Sequence, residues 1–148
     1  MAKDQNFSTT LSLLRRELKY NIYFERKPDG GYLSPFCPIC QKGFIGVEPE
    51  MHEVFITKGH VQGCKDEVKL KINVRENVVL LHGGACHLKA QHTEEGKILC
   101  AEQILRYEGY QQVLEFLQHM DSFLKVKDHQ KYLILEVAND SYKQKSSK

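Results

Sequence analysis

Three side chains suited to hydrolytic chemistry occur within 36 residues of this chain. They are His52, Asn77 and His87, in that order. An imidazole whose pKa lies near neutrality can take a proton from water, and a second imidazole can hold a divalent ion. A carboxamide can fix the loop that carries them. These residue types indicate a candidate hydrolytic site. Asn73 is an alternative asparagine, for which we expect a role in a turn.

A thiol pair, Cys37 and Cys40, precedes these residues. The Cys-x-x-Cys spacing serves both structural zinc and redox thiols. Pro38 favours a tight turn that directs both sulfurs at one centre, and Gly43 lets the chain reverse direction. A redox pair would more often follow a strand and begin a helix, and residues 30–36 show no such strand. We therefore predict that Cys37 and Cys40 bind structural zinc.

A tetrahedral zinc ion needs four ligands, commonly a mixture of Cys and His. His82 and Cys86 are the best candidates for the second pair because they flank a Gly-Gly turn before a short predicted helix. Cys64, in a Gly-rich loop, and Cys100, in an apolar helical stretch, are rivals. For Cys100 we expect a buried structural thiol. The total of five Cys residues is odd, which argues against a closed disulfide framework and leaves thiols available to a metal.

The elements that must position these residues follow from the apolar pattern between residues 50 and 91. Residues 54–56 indicate a short strand that continues from residues 50–53. Residues 68–72 alternate apolar with basic side chains, which is typical of a half-exposed strand. Asn77 precedes another apolar run at 78–81, and residues 86–91 contain good helix formers. The predicted local order is strand, loop, strand and short helix.

The flanking segments are predicted to be helical. Residues 8–10 can cap a helix with leucines at helical spacing, and Pro and Gly at 28–31 favour a turn. From Ile98 a long amphipathic pattern predicts two helices with a bend at Gly109, and its apolar stripe is predicted to be core. Residues 132–137 fit either a strand or a final helical turn. The polar tail that follows is expected to be frayed.

The residues around both candidate sites resemble the HNH endonuclease family over roughly residues 37–92. The ββα-metal module of that family commonly carries a Cys pair, a strand with Glu-x-His-His or Asp-His, an Asn, and a Cys-His at a helix start. The matching segments here are Cys37-Pro38-Ile39-Cys40, Glu50-Met51-His52-Glu53, Asn77-Val78-Val79-Leu80-Leu81 and Cys86-His87. The resemblance implies an α+β fold, with a small ββα-metal (HNH, treble-clef-like) zinc module flanked by N- and C-terminal helices.

The length of 148 residues suits one compact domain, and two full domains would not fit comfortably. We therefore expect a single domain over 1–148. Its predicted parts are an N-terminal helix and turn at 1–31, the zinc module at 32–95, a C-terminal helical region at 96–138 and a disordered tail at 139–148.

The resemblance also implies a function, which is metal-dependent hydrolysis of DNA phosphodiester bonds by nicking or double-strand cleavage. His52, Asn77 and His87 would be catalytic. A single divalent ion would bind a non-bridging phosphate oxygen and the leaving 3′-oxygen. The products would carry a 5′-phosphate and a 3′-hydroxyl. An origin in a phage or mobile element is expected by analogy.

Two departures from the family pattern affect the predicted roles. Glu53 follows His52 where many relatives carry the base, so either residue can be the general base. We favour His52, because an ordinary carboxylate is the weaker base near neutral pH. Gln91 stands one helical turn after His87, where relatives often have a second His. We expect His52, His87 and Gln91 to hold the catalytic ion with retained waters, which suits Mg²⁺ or Mn²⁺.

The composition permits DNA as a partner. The formal net charge is +2, and mixed hydrophobic and charged content is that of a globular chain. Basic residues cluster at Arg15, Arg16, Lys19, Arg26 and Lys27, at Lys65, Lys69 and Lys71, and at Lys143, Lys145 and Lys148. His60 lies in a loop that can approach phosphate, but we do not expect it to be catalytic. A homodimer through the C-terminal helices is a further expectation.

The location of the protein is also predicted. No apolar run approaches the roughly 20 residues of a membrane helix, and the first residues lead into no signal-peptide core. We expect a cytoplasmic protein without membrane contact, in a bacterial host if it is phage-encoded.

Two functions from other classes fit the same residues. A non-catalytic zinc-binding module for nucleic acid or protein would carry a degenerate HNH site, marked by Glu53 and Gln91. A thiol oxidoreductase would use Cys37 and Cys40, and would show a thiol of low pKa and no tightly held zinc.

Overall fold

The structure is a computed structural model that describes residues 2–24, 36–125 and 128–146. These residues form six α-helices and one sheet of two strands. In chain order the elements are α1 (Ala2–Phe24), β1 (Glu50–Glu53), α2 (Asp66–Lys71), β2 (Val78–Leu81), α3 (Ala85–His92), α4 (Glu94–Glu108), α5 (Tyr110–Asp121) and α6 (Gln130–Ser146). The α+β class predicted from the sequence is confirmed.

The two strands are antiparallel, with Glu50 opposite Leu81 at one end. All four residues of β2 are apolar and buried, whereas β1 is partly exposed. Side chains alternate between the faces of a strand. Glu50 and His52 therefore share one face of β1, while Met51 and Glu53 share the other. The helix α3 follows β2 after a short turn, as predicted, but helix α2 lies between the two strands where the predicted order of strand, loop, strand and short helix had a loop.

Residues 54–56, predicted as a strand, form a buried bend after β1 instead. The backbone N–H groups of Phe55 and Ile56 donate hydrogen bonds to Oδ1 of Asn77 at 3.0 and 2.9 Å. Because a side chain satisfies these two donors, this segment leaves the sheet while its apolar side chains remain buried.

The second predicted strand, residues 68–72, is wrong, because Asp66–Lys71 form the helix α2. Val68 and Ile72 are four residues apart and both are buried, so the short alternating run also fits one face of a helix. Acidic residues occupy the first turn of α2 and basic residues the last. That arrangement complements the helix dipole and favours helix over strand.

Helices α3 and α4 meet at a sharp junction that sets the site geometry. Thr93 ends α3 and caps α4, where its side chain accepts a hydrogen bond from the N–H of Gly96 at 2.9 Å. A Cβ atom at Gly96 would lie 2.2 Å from the carbonyl oxygen of Lys89. Only glycine permits this close approach, which brings the first turn of α4 against α3.

The C-terminal helices confirm two predictions. The chain bends at Gly109, whose φ of 88° favours glycine, and α5 begins immediately afterwards. The apolar stripe over α4 and α5 is core, as predicted. Its buried members are Ala101, Ile104, Leu105, Val113, Leu117 and Met120, followed by Leu124. A dimer through these helices would therefore have to use other side chains, and it stays a prediction.

Residues 132–137, for which the sequence allowed a strand, belong to α6. This helix extends through Ser146, so most of the tail predicted to be disordered is helical. Ala138 and Asn139 are buried, and Nζ of Lys145 lies 2.7 Å from a carboxylate oxygen of Glu102 on α4. These contacts give the polar segment a partner surface that its composition alone does not reveal.

The N-terminal helix also differs from its prediction. It begins at Ala2, so residues 8–10 lie inside α1 and do not cap it. Leu18 and Ile22 are buried against the core. The turn predicted at 28–31 lies outside the described residues. Among the helices described above, none is long and apolar enough to cross a membrane.

Candidate metal centre and hydrolytic site

The structure brings together the four residues predicted to bind zinc. One potential ligand atom from each of Cys37, Cys40, His82 and Cys86 lies within 4.8 Å of the others. Cys37 and Cys40 belong to a tight turn in which the N–H of Gln41 donates to the carbonyl of Cys37 at 2.9 Å. His82 directly follows β2, and Cys86 lies in the first turn of α3.

The orientation of His82 fits a metal ligand. Its Nε2 donates a hydrogen bond to the carbonyl oxygen of Gly43 at 2.9 Å, which leaves the lone pair of Nδ1 directed elsewhere. Nδ1 lies 3.2 Å from Sγ of Cys40. Zn–S bonds of about 2.3 Å and Zn–N bonds of about 2.0 Å put tetrahedral ligand atoms about 3.6–3.8 Å apart. The four residues are therefore spaced closely enough to hold a structural zinc ion.

The thiols themselves favour a cation at this place. Burial disfavours the thiolate of Cys37, but hydrogen bonds from the backbone of Cys40, His82 and Ile39 outweigh it and lower its pKa to about 7. Burial and the neighbouring thiols of Cys37 and Cys40 raise the pKa of Cys86 to about 12. Three thiolates together are thus disfavoured by the protein alone. A divalent cation at their centre would stabilise them.

The two rival thiols lie outside this cluster. Cys100 is fully buried in α4, as predicted for a structural thiol, and burial raises its pKa. Cys64 is half-buried, and its Sγ donates to the carbonyl of Phe123 at 3.7 Å. Within the described residues no other group of three or more His, Cys, Asp or Glu is spaced to hold a metal. The proposed set of His52, His87 and Gln91 thus gains no support as a complete ligand group.

Two histidines of the candidate hydrolytic site do converge. The ring centroids of His52 and His87 are 5.2 Å apart, and the planes meet at 78° in an edge-to-face arrangement. His52 projects from β1 and His87 from the start of α3, so the candidate zinc ligand Cys86 immediately precedes one of the two rings. Burial lowers the pKa of His52 to about 4, and repulsion from Lys97 and from His87 in its protonated form adds to this shift. Its imidazole is therefore uncharged near neutral pH and has a lone pair free to accept a hydrogen bond from water, but it is a weaker base than an ordinary imidazole.

Asn77 does not project into the site but holds the loop beside it. Its side chain is completely buried and makes four hydrogen bonds. Oδ1 accepts from the N–H groups of Phe55 and Ile56, while Nδ2 donates to the carbonyls of Ile56 and Ile72 at 2.7 and 2.9 Å. The carboxamide thus fixes the bend that follows His52, which is the positioning role expected of it.

Replacing Asn77 with alanine should destabilise the protein by about 3 kcal/mol or more. The substitution leaves four buried backbone groups without a hydrogen-bond partner, and each such group costs about 1–3 kcal/mol. The matched variant Asn77→Asp keeps the acceptor but cannot donate to the two carbonyls, so we expect it to be destabilised as well. Urea unfolding measures both changes. A free energy of unfolding within about 1 kcal/mol of the parent for both variants would contradict this role.

Glu53 lines the same cavity as His52, but its carboxylate is held by other residues. One carboxylate oxygen lies 3.4 Å from a guanidinium nitrogen of Arg15, and the other accepts from the N–H of Lys58 at 3.0 Å. Asn73, the alternative asparagine, accepts a hydrogen bond from Arg15 at 2.7 Å and lies just after α2. Its predicted turn role fits this position.

A cavity of about 310 Å³ opens beside His52. Gln91 lines it together with Lys97 and His60. His60 is fixed at both ring nitrogens: Nδ1 accepts from the N–H of Thr57 at 3.0 Å, and Nε2 lies 2.9 Å from a carboxylate oxygen of Asp128. It therefore joins the loop after β1 to the segment before α6, and this contact supplies a structural role for it.

No family model, curated protein or solved structure matches this chain. What the molecule does is therefore inferred from its own residues. The features that bear on function are a four-residue cluster of zinc type, a pair of neighbouring imidazoles, and a cavity lined by one of them, His52.

Two residues of the candidate hydrolytic site were not predicted from the sequence. Glu50 accepts a hydrogen bond from Nδ1 of His87 at 2.7 Å, and Lys97 lines the cavity beside His52. The signal for Glu50 was its position two residues before His52 on one strand, which places both on the same face. Lys97 could not be found by spacing, because its place depends on the close packing of α4 against α3.

Proposed function

We propose that this protein is a metal-dependent endonuclease of the HNH type that hydrolyses DNA phosphodiester bonds. The observation that carries the proposal is the convergence of His52 and His87, whose ring centroids are 5.2 Å apart although 34 residues separate them in the chain. The order β1, β2 and α3, beside a cluster suited to zinc, supports the same conclusion.

The roles follow from the surroundings of each side chain. His52 is the general base, since its imidazole is uncharged near neutral pH and lines the cavity of about 310 Å³. Glu53 is a weaker candidate because Arg15 and the backbone of Lys58 hold its carboxylate. Asn77 positions the bend after His52. The zinc ligands fix the start of α3, and therefore His87, relative to the sheet.

His87 would hold the catalytic divalent ion, with Gln91 one turn along the same helix and water completing the coordination. When bound, a Mg²⁺ or Mn²⁺ ion supplies charge neutralisation at the scissile phosphate. The side chain of His87 is about one-third exposed, so part of it is accessible from solvent. Water activated at His52 would release a 5′-phosphate and a 3′-hydroxyl.

The proposal is tested by incubating supercoiled plasmid with zinc-loaded protein freed of other divalent ions, and then adding Mg²⁺ or Mn²⁺. We expect relaxed or linear DNA only after the addition. Ligation of the products by a DNA ligase would show that they carry 5′-phosphate and 3′-hydroxyl ends. DNA binding without cleavage in either metal would overturn the nuclease and favour a non-catalytic zinc module that binds nucleic acid.

Many of the predicted basic residues already have partners in the protein. Arg15 pairs with Glu53, Lys19 with Glu48 and Lys145 with Glu102. Lys97 is better placed to contact a DNA phosphate, because it lines the cavity beside His52 and its charge is felt at that imidazole. We therefore infer that Lys97 contacts the backbone next to the scissile bond.

Replacing Lys97 with glutamine should weaken DNA binding to a similar degree for every sequence, because a phosphate contact carries no base information. The slope of log K against log salt concentration should become shallower by about 0.9, the value for one phosphate contact. Fluorescence anisotropy without added divalent ion measures both quantities. Lys89→Gln is the matched control, because Lys89 on neighbouring α3 already pairs with Glu95. An unchanged slope for Lys97→Gln would contradict the contact.

A further inference from the structure

Glu50 contacts the candidate metal-binding histidine, His87, through one of its two ring nitrogens. Its Oε1 lies 2.7 Å from Nδ1 of His87. An ionised carboxylate only accepts hydrogen bonds, so Nδ1 must be the donor. A neutral imidazole carries a single N–H, and Nε2 of His87 is then left with its lone pair. The carboxylate therefore selects the ring form that can bind a cation through Nε2.

The neighbouring glycine leaves room for the carboxylate in this position. A Cβ atom at Gly83 would lie 2.3 Å from Oε2 of Glu50 and 2.9 Å from its Cδ. The end of the Glu50 side chain thus occupies the space that any other residue at position 83 would fill. Gly83 lies in the turn between β2 and α3, so this turn and β1 together define where the carboxylate rests.

We propose that Glu50 is a positioning residue that holds His87 as the Nδ1–H tautomer, with Gly83 providing the space for its carboxylate. This inference rests on the proposed function, because the Nε2 lone pair gains a role only if His87 binds a divalent ion. A carboxylate that accepts a hydrogen bond from the other ring nitrogen of a ligand imidazole orients the ring and raises its basicity.

Because the contact between Glu50 and His87 is exposed, its effect on the His87 ring can be tested separately from its effect on folding. About half of the Glu50 side chain and about a third of the His87 side chain are exposed. A side-chain contact this exposed contributes little to the free energy of unfolding, whether or not the imidazole is charged. Replacing Glu50 should therefore leave the fold intact, and an effect on His87 can be measured in folded protein.

The test is ¹⁵N NMR of the His87 imidazole in zinc-loaded protein without other metals, at mildly alkaline pH where imidazoles are neutral. The wild type should show the Nδ1–H tautomer. Glu50→Ala and Gly83→Ala should both shift His87 towards the Nε2–H tautomer. Glu50→Gln should largely preserve the Nδ1–H form, because the amide oxygen still accepts. Matched controls are Glu48→Gln, an exposed carboxylate nearby in the chain, and Gly59→Ala, where an added Cβ makes only an ordinary contact.

A second measurement is Mn²⁺ affinity, which we expect to fall by about 10–100-fold in Glu50→Ala and Gly83→Ala. An unchanged tautomer in both variants would overturn the role of Glu50, whether or not the protein cleaves DNA. A shifted tautomer with weaker Mn²⁺ binding would support it. If the wild type has this tautomer and binds Mn²⁺ but cleaves no DNA, the nuclease proposal fails while the positioning role stands.

Discussion

Replacing His52 with alanine should lower the rate of plasmid cleavage by about 10²–10⁴-fold, the usual contribution of a general base. The methyl group cannot accept the proton of the attacking water, while His87 and the proposed ion site remain. Single-turnover cleavage of supercoiled DNA, with protein in excess and Mg²⁺ or Mn²⁺ present, isolates the chemical step from product release. Affinity for DNA, measured without the added divalent ion, should change little.

The control for His52→Ala is the same substitution at His119, an exposed histidine of α5. This variant should cleave at the wild-type rate. Both variants should retain the bound zinc, so that the loss of rate is not a loss of fold. A His52→Ala protein that cleaves within about threefold of the wild type would remove His52 as the base, because that change is far below a general-base contribution. Glu53→Gln would then be the variant to examine.

Loss of zinc should remove most of the stability of the region around the four-residue cluster. The binding free energy of a structural zinc ion is about 10–16 kcal/mol, which is comparable with the whole net stability of a domain, about 5–15 kcal/mol. Cys40→Ser replaces a soft thiolate with a poor zinc ligand of similar size. We expect this variant to bind far less than one zinc ion per chain and to melt at a much lower temperature. Elemental analysis and thermal unfolding followed by circular dichroism measure these two properties.

Cys64→Ser is the matched control, because Cys64 is half-buried but lies outside the four-residue cluster. It should retain one zinc ion per chain and a near-normal melting temperature. Stripping zinc from the wild type with a strong chelator should reproduce the behaviour of Cys40→Ser. A metal-free wild type that remains folded and melts at the same temperature would contradict a structural zinc ion.

Helices and strands near the two sites could be predicted where the local sequence pattern fitted only one kind of structure. Four consecutive apolar residues made β2 evident, and Gly109 marked the bend between α4 and α5. The strand predicted at residues 68–72 was wrong because apolar residues at 68, 70 and 72 fit a strand, while those at 68 and 72 also fit one face of a helix. The acidic residues at the start of α2 and the basic residues at its end favour the helix. The strand predicted at residues 54–56 was wrong because the hydrogen-bond partner of this segment, Asn77, is distant in sequence.

The four-residue cluster was predictable from spacing, since a Cys-x-x-Cys pair combined with a second pair of Cys and His beside a turn supplies the four ligands that a zinc site needs. The surroundings of the histidine pair were not. Glu50 contacts His87 only because the antiparallel register places the start of β1 opposite the end of β2, next to α3. Lys97 reaches the cavity only because Gly96 allows two helices to touch. Both facts depend on tertiary packing, which no local pattern encodes.

The adjacency of Cys86 and His87 has a consequence for metal loading if the four-residue cluster holds zinc and His87 holds the catalytic ion, as proposed. Without zinc, the first turn of α3 would lose the contacts that fix it, and His87 would not be placed to bind a second ion. Zinc would then have to bind before magnesium, and protein refolded in magnesium alone should be inactive even when zinc is absent only at the refolding step.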